Sequence, residues 1–182
     1  MARRLAVVFA EKGYSATTVA DLIVAARMAA GTFYALFGSK KECLDHVVEI
    51  LLAEAEADLL SSVDIGASWP AQAQQALVAL LSWADAHPDQ ARVILVEAQF
   101  TSGGRDAYRG LIDRLADALR AGRSLLPAAS ALPASLEVAM VGGVVHVLTS
   151  RLVKREPLYA LELAQELTEF LLDPYVGSAP AS

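Results

Sequence analysis

Apolar positions recur with helical spacing along the whole chain. Leu5, Val8 and Phe9, with Lys12, follow a 3.6-residue period, and Gly13 stands where a left-handed residue would close that helix. Thr18 and Asp21 form a T-x-x-D capping pattern just before Val19, Leu22, Ile23 and Ala26, which predicts a second helix over 19–26. A third fits 29–37 and stops at Gly38. Ser39 with Glu42 makes an S-x-x-E capping box for a fourth, whose stripe of Leu44, Val47, Val48, Leu51, Leu52, Ala55 and Leu59 runs on to about residue 60. Past the turn-rich "SSVDIGASWP", Pro70 suits the first turn of a fifth helix that ends near His87 and Pro88. A sixth spans 89–100 and breaks at "TSGG"; a seventh spans 105–123; "LLPAASALP" separates it from an eighth over 134–153; Pro157 opens a ninth that closes at "DPYVG". No stretch sustains period-two alternation, and the expected fold is all-α.

Composition narrows the picture. A chain of 182 residues can bury a core without staples, and its single cysteine, Cys43, excludes an internal disulfide framework and fits a reducing compartment. The opening "MARRLAVVFAEKGYSA" has a short apolar run cut by Glu11 and Lys12, which argues against a cleaved signal peptide. The most apolar later stretch, 138–148, covers half a bilayer span and contains His146, so a soluble, cytoplasmic protein is expected. Net charge is −6, unevenly spread: residues 1–47 hold six basic against four acidic side chains, and the rest hold nine against seventeen. A mildly basic module on an acidic body fits that split.

The stretch "GTFYALFGSKKE" carries the chemistry of the basic module. On a helical wheel Ala29, Phe33, Leu36 and Phe37 gather on one side, while Ala30, Gly31, Tyr34 and Ala35 fall on the other. Phe33 and Phe37 are expected to pack on helices 1 and 2. Tyr34 then points outward from a face of very small residues that can approach a surface closely. Lys40 and Lys41 follow at a helix start, where cations oppose the helix dipole unless an anion lies near. A helix, a short turn at "RMA", a second helix across it and a supporting helix before are the geometry of a helix-turn-helix, whose second helix enters the DNA major groove.

The run "FAEKGYSATTVADLIVAARMAAGTFYALFGSKKECL" resembles the DNA-binding domain of the TetR family of bacterial repressors, through F-A-E-x-G-Y, T-T-V-x-D-(I/L), G-T-(F/L)-Y-x-x-F and S-K-x-x-L. The resemblance implies a DNA-binding domain over 1–47 and a ligand-binding and dimerisation domain over 48–182. It implies that Thr18 caps helix 2 and contacts a phosphate, that Thr32 and Tyr34 on the recognition helix contact DNA, and that Lys40 contacts a phosphate. Ala30 and Gly31 belong to the same face, Ala30 as a contact for thymine methyls. Each position also has a plainer reading: cap, exposed helix surface, solvated aromatic or solvated charge. Arg3 and Arg4 are either a short phosphate-tracking arm or solvated terminal charges.

Two departures stand out. Where the family pattern is A-G-V-S-x-G, this chain reads "ARMAAG", with Arg27 in place of the turn glycine and Ala29 in place of the serine expected at the recognition-helix N-cap. An arginine forced to positive φ is strained, and a missing serine cap costs about 0.5–2 kcal/mol. Base readout then rests on Thr32, Tyr34, Ala30 and DNA shape.

For the acidic body, the resemblance implies a small-molecule pocket among helices 4 to 7, coupled to the DNA-binding heads through helix 4. Trp83, Phe100 and Tyr108 are its candidate lining, although apolar stripes at helical spacing are also ordinary core. It places the dimer interface on helices 8 and 9, with Gly142, Gly143, His146, Leu161 and Leu171 as candidates. "VAMVGGVVHVL" is apolar all round and demands burial, its glycines suit close helix approach, and His146 within it reads as a buried, hydrogen-bonded imidazole. The histidines are scattered, and no nucleophile pairs with a base, so no metal, cofactor or catalytic activity is expected. The expected function is a ligand-responsive repressor that binds a palindromic operator as a homodimer, with half-sites about 34–36 Å apart in the standard geometry. The departures leave a second reading, a helical small-molecule binding protein with a degenerate DNA-binding head.

Overall fold

The computed structural model describes residues 1–125 and 132–176. Gly177 of "DPYVG" and most of the "LLPAASALP" separator lie outside them. In chain order the helices are α1 (Ala2–Ala16), α2 (Val19–Ala26), α3 (Ala30–Phe37), α4 (Lys40–Ser61), α5 (Trp69–Ala86), α6 (Pro88–Leu95), α7 (Ser102–Ala121), α8 (Leu136–Lys154) and α9 (Ala160–Val176), with 3₁₀ turns at Glu97–Phe100 and Gly122–Leu125. There is no strand among the described residues, and the chain is all-α as expected. Two compact units emerge, Met1–Glu56 with His87–Arg109, and Ala57–Ala86 with Gly110–Ser182.

The first unit is built on the stripes that the sequence shows. Leu5 and Phe9 of α1, Leu22 of α2, Phe33 of α3 and Leu44 and Leu51 of α4 are fully buried, each stabilising by about 1.5–3 kcal/mol relative to exposure. Gly13 interrupts α1 at φ 77°, a conformation that only glycine adopts freely, and the Thr17 backbone N–H and hydroxyl both donate to its carbonyl at 3.1 and 2.7 Å. Regular helix therefore ends at Gly13, with one further turn beyond. The expected single helix over 89–100 divides instead: α6 ends at Leu95, and a tighter turn follows. That turn carries Glu97, only 2% exposed, to α1, where it accepts the Tyr14 N–H at 2.7 Å. A partner 83 residues away decided this break, which no local pattern announces.

The start of α7 is held in the same way. Asp45 of α4 accepts the Thr101 hydroxyl at 2.5 Å and the Gly104 N–H at 2.9 Å, so a carboxylate from another helix caps α7. Glycine is needed at 104, because a Cβ there would lie 2.3 Å from the Ala98 carbonyl oxygen.

In the second unit α5 packs against α9 and α8 against α9. Glu137 of α8, with no exposed surface, accepts from Arg123 at 2.5 and 2.7 Å and from the Tyr175 hydroxyl at 2.9 Å. Tyr175 in turn packs against Trp69, ring centroids 4.7 Å apart. Helix α9 starts at Ala160, later than Pro157 suggests, because Arg155 and Tyr159 both adopt positive φ (57° and 48°) in the connection, and the Arg151 guanidinium binds the Leu158 carbonyl at 2.7 Å. By length and hydropathy alone the whole of α8, longer than the apolar stretch 138–148, would suffice to cross a bilayer, a test that core helices also pass. Its buried stripe, Met140, Val141, Val144, Val145, Leu148 and Leu152, is packed within the unit.

Candidate nucleic-acid interface

Helix α2 begins with a complete capping box. The Thr18 hydroxyl oxygen accepts the Asp21 N–H at 3.2 Å, and the Asp21 carboxylate accepts the Thr18 N–H at 2.9 Å and its hydroxyl at 2.8 Å. Lys12 reaches the same carboxylate at 2.6 Å. Together the Lys12 ammonium and the Thr18 donors draw the Asp21 carboxyl down to about 2. Thr18 itself is exposed at the N-terminus of α2.

Helices α2 and α3 meet at an angle of 104°. Arg27 forms the corner at φ 55°, ψ 48°, donating its N–H to the Val24 carbonyl at 3.1 Å while Met28 donates to Ile23 at 3.3 Å. This is a helix ending of the kind glycine usually supplies, at a cost of about 1–2 kcal/mol for any other residue. Ala29 is the N-cap of α3 and makes no side-chain capping bond. Both departures in "ARMAAG" thus have the structural consequence that their chemistry dictates.

On α3, Phe33 and Phe37 are buried with ring centroids 5.1 Å apart, and Tyr34 meets Phe33 edge-on at 5.6 Å. Ala30, Gly31, Thr32 and Tyr34 are all exposed, Tyr34 at 55%. Apart from its chain neighbours and its own helix backbone, no atom among the described residues comes within 4 Å of where a Cβ on Gly31 would sit, so no packing there demands glycine. Leu36, placed on the core side by the wheel, is 58% exposed. Two aromatic rings one turn apart are enough to anchor an eight-residue helix, which leaves Leu36 outside the contact.

The cations of the head are placed very differently from one another. Lys40 donates to the Tyr14 and Thr17 carbonyls at 2.8 and 2.9 Å, its ammonium 4.3 Å from the centre of the Tyr14 ring. Two of its three donors serve the end of α1, and one remains for an anion. Lys41 pairs with Asp45 at 2.8 Å, and Arg3 with Glu54 at 3.1 Å. Arg4 and Arg27 are exposed, and no partner is found for either among the described residues.

The candidate pocket residues are divided between the two units. Phe100 and Tyr108 belong to the first unit, where Phe100 is 54% exposed and stacks on Tyr14 at 5.9 Å, and burial pushes the half-buried Tyr108 hydroxyl up. Trp83 belongs to the second unit. There, an aliphatic cavity of about 60 Å³ is lined by Ala73, Ala76, Leu77 and Leu80 of α5, Leu115 and Leu119 of α7, Val141, Val144 and Val145 of α8, and Leu171 of α9. None of the three aromatics lines it. Aliphatic stripes of this kind read as core in a sequence, and no signal in the pattern separates the two.

Among the interface candidates, Leu171 faces that cavity and is buried, whereas Leu161 is 67% exposed. His146 is exposed in the single chain, contrary to the buried imidazole expected. It lies on the open face of α8 with Val138, Gly142 and Val153, opposite the buried stripe. Nothing lies within 4 Å of a Cβ built on Gly142, and one on Gly143 would only touch the Phe170 ring at 3.7 Å.

Residues 5–47 match the family profile described as bacterial regulatory proteins, tetR family. No curated protein matches the chain. Among solved structures, the fatty acid degradation regulator FadR from Bacillus halodurans is similar at 21% identity over 94% of this chain and 92% of that one, with a TM-score of 0.81. FadR from Bacillus subtilis, solved with stearoyl-CoA, is 20% identical over 95% and 97%, with a TM-score of 0.77. The ketosteroid transcriptional regulator KstR2 of Mycobacterium tuberculosis is 23% identical over 94% and 91%, with a TM-score of 0.67. At these identities the likeness is one of fold.

Proposed function

We propose that this chain, a TetR-family regulator by its head and its fold, binds a palindromic operator as a homodimer and is released from it by a small, largely apolar effector. The observation that carries the reading is the make-up of α3. Its two phenylalanines are buried, and its outer face offers Ala30, Gly31, Thr32 and Tyr34, small enough for close approach to a groove. Thr18 at the start of α2 and the spare donor of Lys40 supply backbone contacts, and Arg3 and Arg4 extend them. The reading places the protein in the cytosol, with its DNA.

Dimerisation is assigned to α8 and α9. The open stripe of Val138, Gly142, His146 and Val153, with Phe170 half exposed beside Gly143, is an apolar face that a second copy would cover. Effector binding is assigned to the aliphatic cavity of the second unit. At about 60 Å³ it falls well short of the roughly 300–1,000 Å³ of a drug-sized site, so an effector must part the helices that line it. A hydrocarbon chain suits such walls, and the fold shared with a regulator solved with stearoyl-CoA supports an acyl group as the class. Release then follows if the effector favours a conformation in which the two heads no longer match the operator, and about 5.5 kcal/mol of differential affinity moves a population from 1:99 to 99:1.

The test is selection of binding sites from a random duplex library at moderate salt, with Tyr34→Ala in parallel. An enriched palindrome that the variant fails to enrich, and that long-chain acyl-CoA displaces, is the expected result. No enrichment by folded wild-type protein would discard the regulator in favour of a ligand-binding protein with a degenerate head. Palindrome binding that no acyl-CoA or other hydrocarbon ligand weakens would discard the effector class alone.

A further inference from the structure

The head spends its positive charge internally. Of the six lysines and arginines in residues 1–47, Arg3, Lys12 and Lys41 pair with carboxylates, and Lys40 is bonded to two backbone carbonyls. Only Arg4 and Arg27 remain without a partner among the described residues. Arg4 sits in the regular first turn of α1. Arg27 is held at φ 55°, where glycine is the unstrained choice, and among the described residues its guanidinium has no partner that would offset the strain.

Strain alone singles out nothing, since Arg155 ends α8 in the same conformation at φ 57°. Position distinguishes Arg27. It occupies the 104° corner between α2 and α3, three residues before the exposed start of α3. In a docked helix-turn-helix the first helix crosses the phosphate backbone, and the N-terminal residues of the second reach base edges. The corner between them therefore runs along the wall of the groove, and an extended arginine there meets phosphates before it meets bases.

We propose that Arg27 is a DNA-backbone contact that adds sequence-independent affinity to a recognition helix whose exposed face is small and whose N-cap, Ala29, makes no side-chain bond, its guanidinium binding a phosphate at the rim of the groove that α3 enters. The inference rests on the DNA-binding reading above and extends it to a residue outside the α3 face. Its consequence is a regulator that relies more on phosphates and DNA shape and less on base edges.

The experiment measures affinity against salt, between about 0.05 and 0.2 M, for wild type, Arg27→Gly, Arg27→Lys and Arg155→Gly, on the selected palindrome and on an unrelated duplex. Arg27→Gly relieves strain while it removes charge, so its melting temperature is expected to rise and lost affinity cannot be blamed on unfolding. Its salt slope should become shallower by about 0.9 per head, or about 1.8 per dimer, and affinity at about 0.15 M should drop on the order of thirtyfold. The loss should be similar on both duplexes, because phosphate contacts carry no sequence information. Arg27→Lys should keep the slope. Arg155→Gly should gain stability with no change in DNA binding. An Arg27→Gly protein with wild-type affinity and slope overturns the proposal, as does a loss confined to the palindrome at unchanged slope, or a lowered melting temperature. A wild type that binds neither duplex overturns the DNA-binding reading itself, and this inference with it.

Discussion

Glu137 is a carboxylate with no exposed surface, and its neighbours keep it charged. Burial by itself would raise its pKa, but the Arg123 guanidinium and the Tyr175 hydroxyl outweigh that and hold it below the usual carboxylate range. Burial and the Glu137 charge push the Tyr175 hydroxyl up in turn. Because the folded pKa of Glu137 is depressed, its contribution to stability is complete above the ordinary carboxylate value and is lost as the pH falls through the lowered one. Glu137→Ala removes the carboxylate while Arg123 keeps its bonds to the Leu132 and Pro133 carbonyls, so it should cost about 1.5–3 kcal/mol, the range for hydrogen bonds to a charged group, whereas Tyr175→Phe removes one hydrogen bond and should cost about 1 kcal/mol. Urea denaturation at neutral pH checks both, and equal midpoints for wild type and Glu137→Ala would show that the pair contributes nothing. No feature of the sequence marks Glu137 as buried: it looks like a first-turn acid of α8, and Arg123, Tyr175 and, at 3.7 Å, Arg120, brought together by the fold, make it a core residue. Lys40 teaches the same lesson from the surface. Its place in an S-K-x-x-L motif suggests a phosphate ligand, yet most of its donors close the end of α1.

At the scale of elements, most boundaries follow from short-range chemistry. Thr18 and Asp21 start α2 as their spacing says, Gly38 at φ 65° stops α3, and the Ser39 hydroxyl oxygen accepts the Glu42 N–H at 3.1 Å to open α4. Apart from the late start of α9, set by the positive φ of Arg155 and Tyr159, the boundaries that the pattern missed were set by a distant partner. Glu97 ends α6 early to reach Tyr14, and Asp45 caps α7 from α4, 56 residues away. Removal of that cap by Asp45→Ala should destabilise by about 0.5–2 kcal/mol, visible as faster amide hydrogen exchange at Thr101–Gly104. Burial tends to raise the Asp45 carboxyl, but Lys41 and Thr101 prevail and lower it. The cap is therefore fully formed above the ordinary carboxylate range and weakens as the pH falls through the lowered pKa. Asp45→Asn, which cannot titrate, should flatten the acid limb of stability, and an acid limb identical to wild type would mean that Asp45 plays no part in it.

At the scale of the molecule, the open face of α8 makes a prediction about assembly. Wild type should sediment as a dimer, and Gly142→Glu should sediment as a monomer while keeping its helical signal. Apart from its chain neighbours and its own helix backbone, no atom among the described residues lies within 4 Å of the new Cβ, and glycine is the weaker helix former. A variant that remains dimeric would move the interface elsewhere. Stability should then depend on protein concentration in wild type and not in the variant.

Hydrophobic period, caps and the G-T-F-Y segment were enough to determine an all-α chain, nearly every helix and the helix-turn-helix that lies within the matched residues 5–47, because each depends on neighbours within one or two turns. Tertiary structure alone decided which cations are free, which carboxylates are core, and where an apolar stripe leaves a cavity. Those properties belong to pairs of residues far apart in the chain. A lysine reads the same in sequence whether its ammonium ends on a carbonyl or in solvent, and a leucine the same whether its neighbour fills the space beside it or leaves about 60 Å³ empty.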